Sequence, residues 1–98
     1  MNTVLKDIRK KLVEYKPALK CHYKVREIGV FGSYVRGEQK KKSDLDILVD
    51  FYEPISLINF IRLENHLTVY LGVKVDLVMK DSLKPRIGSN ILKEVVNI

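Results

Sequence analysis

Phe31-Gly32-Ser33-Tyr34-Val35-Arg36-Gly37, followed after a short polar stretch by Ser43-Asp44-Leu45-Asp46-Ile47-Leu48-Val49, decides how this chain is read. The first segment ends a β-branched and aromatic run, Val25 to Phe31, which predicts a strand. A glycine straight after a strand, with a serine opening a helical turn, offers backbone N–H groups and a hydroxyl to an anion. The plainer reading is a strand-to-helix turn with Ser33 as its N-cap. The second segment opens the clearest strand, Asp44 to Phe51. Leu45, Ile47, Val49 and Phe51 fall on one face, and Asp44, Asp46, Leu48 and Asp50 on the other. Asp44 and Asp46 are two apart, so their carboxylates leave the strand on the same side.

Upstream, Thr3 caps a predicted helix whose apolar stripe is Val4, Leu5, Ile8, Leu12 and Tyr15. Pro17 is expected to break or restart it, with helical character continuing to about Tyr23. Ser33 to Arg36 makes a helical turn closed by Gly37, and residues 38 to 43 form a polar loop. Downstream, Pro54 and Ser56 open a helix to about Leu71, with Leu57, Phe60, Ile61, Leu67 and Leu71 on the buried side. Glu64 falls in that stripe, and the pattern assigns it no role. Gly72 ends the helix. A third strand, Val73 to Met79, turns Val73, Val75, Leu77 and Met79 inward and Lys74, Asp76 and Val78 to the opposite face. Asp81-Ser82 turns the chain, Pro85 starts a further turn, and Ser89 caps a last helix carrying Ile91, Leu92, Val95 and Val96. The order α-β-α-β-α-β-α predicts an α/β layer structure.

Asp76 lies on the polar face of the third strand. If that strand neighbours the second, three carboxylates converge. Two unit charges about 4 Å apart repel by roughly 4 kcal/mol at an effective dielectric near ~20. A hard cation compensates such a cluster, since Mg²⁺ takes oxygen ligands and leaves positions for phosphate. The competing reading makes Asp44, Asp46 and Asp50 the wet side of an amphipathic strand, and for a lone D-x-D it would prevail. The combination with Gly32-Ser33 shifts the balance.

Gly-Ser, ten intervening residues (34 to 43) and Asp-x-Asp resemble the signature of the polymerase-β-like nucleotidyltransferase superfamily. Arg36-Gly37, Ser43-Asp44-Leu45-Asp46 and Val75-Asp76-Leu77-Val78 resemble its small prokaryotic branch, the minimal nucleotidyltransferases, and the resemblance spans Val25 to Met79. It implies a mixed sheet flanked by helices, rather than an all-parallel one. It implies ATP held by Ser33 and the Gly32 backbone at the β- and γ-phosphates. Asp44 and Asp46 would bind two Mg²⁺ ions, and Asp76 would ligate the catalytic one and help activate an acceptor hydroxyl. Arg36 and Ser43 are further candidates for phosphate, although Arg36 equally suits a loop-pinning salt bridge and Ser43 the entry to a strand. The resemblance also implies a partner, a small helical HEPN protein, to whose tyrosine hydroxyl AMP would pass in a toxin–antitoxin pair. Two other readings stay open: a nucleotide-binding antitoxin that works by occupancy alone, and nucleotidyl transfer to a small molecule or an RNA end.

At 98 residues the chain fits one domain, residues 1–98, with 46% hydrophobic and 31% charged residues. Its formal net charge of +6 favours anionic partners. Lys6, Arg9, Lys10, Lys11, Lys16, Lys20, Lys24 and Arg26 form one basic cluster, and Lys40-Lys41-Lys42 another that suits a triphosphate. A solvated or heat-adapted surface explains the same residues. Charges appear within seven residues of Met1, so no signal peptide is expected. The longest uncharged stretch, Pro54 to Ile61, is far short of a membrane span. Cys21, the one cysteine, permits no internal disulfide or thiolate cage, and a reducing cytoplasmic setting is expected. His22 and His66 match no metal spacing. The five tyrosines show no base-stacking pattern, and with no RNA-binding extension nucleic acid is not the favoured partner. An acceptor surface is expected to be open or completed by a partner.

Overall fold

Val25–Phe31 forms β1, the strand its composition predicts, and it becomes the antiparallel neighbour of β2, Leu45–Phe51. The structure is a computed structural model that describes residues 3–40, 43–83 and 85–98. The remaining elements are α1 (Thr3–Tyr23), α2 (Ser33–Arg36), α3 (Leu57–Leu71), β3 (Val75–Met79), a 3₁₀ turn at Lys80–Ser82, α4 (Pro85–Glu94) and β4 (Val96–Asn97). The sheet order is β3-β2-β1-β4, with β2 and β3 parallel and the other two pairs antiparallel. The sheet is therefore mixed, as the resemblance implied.

Alternation along the strands divides the sheet into two faces. Val25, Ile28, Val30, Leu45, Ile47, Val49, Val75 and Leu77 meet Ile8, Leu12 and Leu19 of α1 and Leu63, Leu67 and Leu71 of α3. Leu12, Leu63 and Leu67 are wholly buried, and each such side chain contributes about 1.5–3 kcal/mol. The second face carries the carboxylates. It is not simply wet, because Leu48 and Asp50 on it are each only 6% exposed. Asp50 pairs with Arg26 and also accepts the Phe51 N–H at 3.0 Å.

Four expectations are corrected. Pro17 does not interrupt α1. Proline leaves the carbonyl four residues earlier without its donor, and that residue, Val13, lies on the exposed side where water can reach it. The buried stripe of α3 is as expected at Leu67 and Leu71, with Phe60 partly buried, but it runs through Leu63 and leaves the expected Leu57 and Ile61 exposed. Val4 likewise lies outside the α1 stripe, which includes Leu19 instead. The last helix starts at Pro85, leaving Ser89 inside it, and ends before Val96, which pairs with Val30 as β4. Proline suits the first turn of a helix because the N–H it lacks has no intrahelical partner there. Ser56 does cap α3, accepting the Asn59 N–H at 3.2 Å. The capping side chain expected at Thr3, and Lys41 and Lys42 of the basic loop, lie outside what the structure describes.

Glu64 has a structural task. β3 is an edge strand, and two of its outer N–H groups are taken by side chains of α3: Val75 N–H by Thr68 Oγ1 at 3.1 Å and Leu77 N–H by Glu64 Oε2 at 2.9 Å. An edge so occupied is a poorer template for pairing with another chain.

Candidate active site

The parallel register of β2 and β3 sets Asp46 directly beside Asp76, and the antiparallel register sets Asp46 beside Phe31, the residue before Gly32. Three elements thus deliver the Gly-Ser turn, the Asp-x-Asp pair and the third carboxylate to one end of the second face. Gly32 has φ +80°, which an L side chain rarely adopts, and a Cβ built there would collide with the Asp46 carboxylate. Glycine is required twice over, by conformation and by the close approach of that carboxylate.

Asp46 is half-buried, and its carboxyl titrates above the usual range. Burial is the largest cause, followed by repulsion from Asp76 and then Asp44; Glu94 adds to it and Arg36 opposes it. The three aspartates therefore act on one another. Among the described residues, however, no three His, Cys, Asp or Glu side chains gather closely enough to form a ready cation cage. The structure shows the three carboxylates within electrostatic reach of one another. The donor set still fits Mg²⁺. All three groups are hard oxygen donors, and Mg²⁺ commonly takes one or two carboxylates with water and substrate phosphate completing its shell.

Other expected contacts are engaged differently. Gly32 and not Ser33 is the cap residue of α2, and its carbonyl accepts Val35 and Arg36 N–H at 3.1 and 3.2 Å. Ser33 is the first helical residue, and among the described residues no protein group bonds its hydroxyl. The Gly32 N–H, expected to face phosphate, donates instead to Glu94 Oε2 at 3.1 Å. Arg36 takes the loop-pinning role: Nη1 donates to Glu94 Oε1 at 2.6 Å and Nε to Glu38 Oε2 at 3.0 Å. Ser43 closes the loop, its Oγ accepting the Lys40 N–H at 2.7 Å. Glu94 had no signal in the sequence, because its contacts span 58 and 62 residues. His66 bonds the Tyr15 hydroxyl across α1 and α3, stacked beside that ring. Among the described residues no helix is long and apolar enough to cross a membrane.

Comparison with known proteins places this geometry. The family described as Nucleotidyltransferase domain matches residues 5–98. Protein adenylyltransferase MntA of Thermococcus cleftensis is 55% identical over 94 residues, covering 96% of this chain and 95% of that protein. A solved structure described as a minimal nucleotidyltransferase superposes with a TM-score of 0.79 at 34% identity, covering 100% of this chain and 97% of the other. A crystal structure of a toxin–antitoxin with AMP-PNP gives a TM-score of 0.69 at 28% identity, covering 94% of this chain and 69% of the other.

Proposed function

The chain belongs to the nucleotidyltransferase domain family, and from that premise we propose that it is the antitoxin of a toxin–antitoxin pair, moving AMP from ATP onto a tyrosine hydroxyl of a HEPN-domain partner. The observation that carries the proposal is the register: Asp46 lies opposite Asp76 on the neighbouring strand, with the Gly32-Ser33 turn packed on Asp46. A nucleotide held at that turn puts its phosphates over the carboxylates. The similarity to a protein adenylyltransferase supports AMP as the group moved, and the neighbour with AMP-PNP supports an adenine nucleotide. Small size and the reducing setting expected from one cysteine fit the cytoplasm.

In this reading the Ser33 hydroxyl, which no group among the described residues bonds, donates to the terminal phosphates. Arg36 and Ser43 act around it, bracing the loop more than touching phosphate. Asp44, Asp46 and Asp76 would hold Mg²⁺, which when bound would supply positive charge to the triphosphate and the departing pyrophosphate. Asp76, the most exposed of the three, faces the incoming tyrosine and helps remove its proton. The tyrosine oxygen forms a bond to the α-phosphorus, the bond between the α-phosphorus and the bridging oxygen breaks, and pyrophosphate leaves. The half-buried Asp46 keeps the charged site partly out of water, where its electrostatic effects are stronger.

Incubation with Mg²⁺, a HEPN partner and ATP labelled at either the α- or the γ-phosphate tests the reading. The α-label should appear on the partner and the γ-label should not. Transfer of neither label, with toxicity still neutralised, would replace the enzyme with a binding module.

A further inference from the structure

Glu94 is the last residue of α4, yet both of its carboxylate oxygens are spent on the nucleotide turn. Oε2 accepts the Gly32 N–H at 3.1 Å and Oε1 accepts Arg36 Nη1 at 2.6 Å. Its side chain is 23% exposed and that of Arg36 is 48% exposed, so the pair closes over the turn from the solvent side.

The seat of Glu94 is itself fixed. β4 pairs Val96 with Val30 and Asn97 with Gly29, and the Ile98 N–H donates to Ile28 O at 2.9 Å. A Cβ on Gly29 would lie 2.6 Å from Val95 Cγ2 and 3.1 Å from Val96 O, so the chain after Glu94 packs closely on β1 at residue 29 and a side chain there would press on it. β1 thus carries both ends of the contact: the Gly-Ser turn leaves its C-terminal end, and the segment that delivers Glu94 is zipped to its outer edge.

Glu94 also adds negative charge within reach of Asp46, while the Arg36 cation it binds acts on Asp46 in the opposite sense. The two bonds of Glu94 act on the turn itself. Gly32 has a positive φ and directly abuts the Asp46 carboxylate, so a loose turn would lose that close approach.

Resting on the nucleotide reading above, we propose that Glu94 is a positioning residue for the nucleotide turn. It fastens the Gly32 amide and the Arg36 guanidinium to the C-terminal segment, so that the turn is held with Gly32 against Asp46 before ATP arrives. Glu94 touches neither nucleotide nor acceptor. The opposing possibility is that its carboxylate occupies a phosphate position and must be expelled, in which case its removal would improve binding.

Calorimetry with Mg²⁺-ATP on the wild type, E94A and E94Q, joined to amide hydrogen exchange, separates the two. E94A should weaken ATP binding about tenfold, the equivalent of about 1.4 kcal/mol. E94Q keeps one acceptor and should fall between E94A and wild type, which also guards against misfolding of the alanine variant. Exchange at the Gly32 amide should quicken in E94A while that of Ile28 and Val30 in β1 stays unchanged. Binding by E94A or E94Q as tight as wild type, or tighter, or unaltered Gly32 exchange in E94A, would overturn the positioning role. A wild type that does not bind Mg²⁺-ATP would instead overturn the nucleotide reading beneath it.

Discussion

Asp46 is the residue on which the site turns, and its titration gives a signed expectation. Burial first, and then the Asp76 and Asp44 charges, raise its folded pKa above the unfolded value of about 3.9. A raised carboxyl favours folding while protonated. Its contribution is complete below the unfolded value and is lost as pH rises through the folded one. At neutral pH without metal, the wild type therefore bears uncompensated repulsion. Asp46→Asn should melt a few degrees higher than wild type in EDTA at neutral pH, and the gap should close as the pH falls below about 4. Added Mg²⁺ should raise the melting point of the wild type and leave that of the variant nearly still. A variant that melts lower in EDTA would mean that Asp46 makes internal bonds that outweigh the repulsion. Gly32 gives a second test. Gly32→Ala imposes a backbone cost of about 1–3 kcal/mol at its positive φ and drives a methyl group into the Asp46 carboxylate. Chemical denaturation should show at least that loss, and calorimetry should show weakened Mg²⁺-ATP binding.

Among the elements, β3 depends on α3 in a way that can be measured. Glu64→Ala leaves the partly buried Leu77 N–H without its acceptor and should cost about 1–3 kcal/mol in a urea titration. Glu64→Gln, which retains an acceptor oxygen, should recover most of it. Equal losses for the two would show that charge, and not the hydrogen bond, is what matters. β1 was legible to the residue because β-branched composition and the Gly32-Ser33 break are both local. β2 was legible from its alternation, save that its second face also buries Leu48 and Asp50. What escaped was set by distant partners. Residues 57 to 71 contain more apolar side chains than one stripe needs, and only packing against the sheet selects Leu63 over Leu57 and Ile61 beside the expected Leu67 and Leu71. Val96 and Asn97 look helical in isolation and become a strand because β1 has a free edge to offer. The Asp46–Asp76 neighbourhood was conditional on strand order, which periodicity does not encode, and Glu94 had no local signature at all.

For the molecule as a whole, a net charge of +6 surrounds an end of the sheet that is itself acidic. Anions are drawn toward the protein in general, while the carboxylates at this end of the sheet repel them and in the proposed reading call for a cation. Mg²⁺-ATP should therefore bind where ATP in EDTA does not, with affinity in the micromolar-to-millimolar range usual for substrates, roughly 1 μM to 1 mM. Equal binding in EDTA would remove the metal from the account. The same open carboxylate face accounts for the need for a second protein: Asp76 is exposed on it, so an incoming hydroxyl reaches the site from outside the chain. The central claim is that this face transfers AMP to such a partner. Mass spectrometry of a HEPN partner co-expressed with the wild type or with Asp76→Ala tests it most directly. The account predicts a partner heavier by one or more adenylyl groups with the wild type and unmodified with Asp76→Ala. A partner left unmodified by both chains, yet equally neutralised by both, would contradict it.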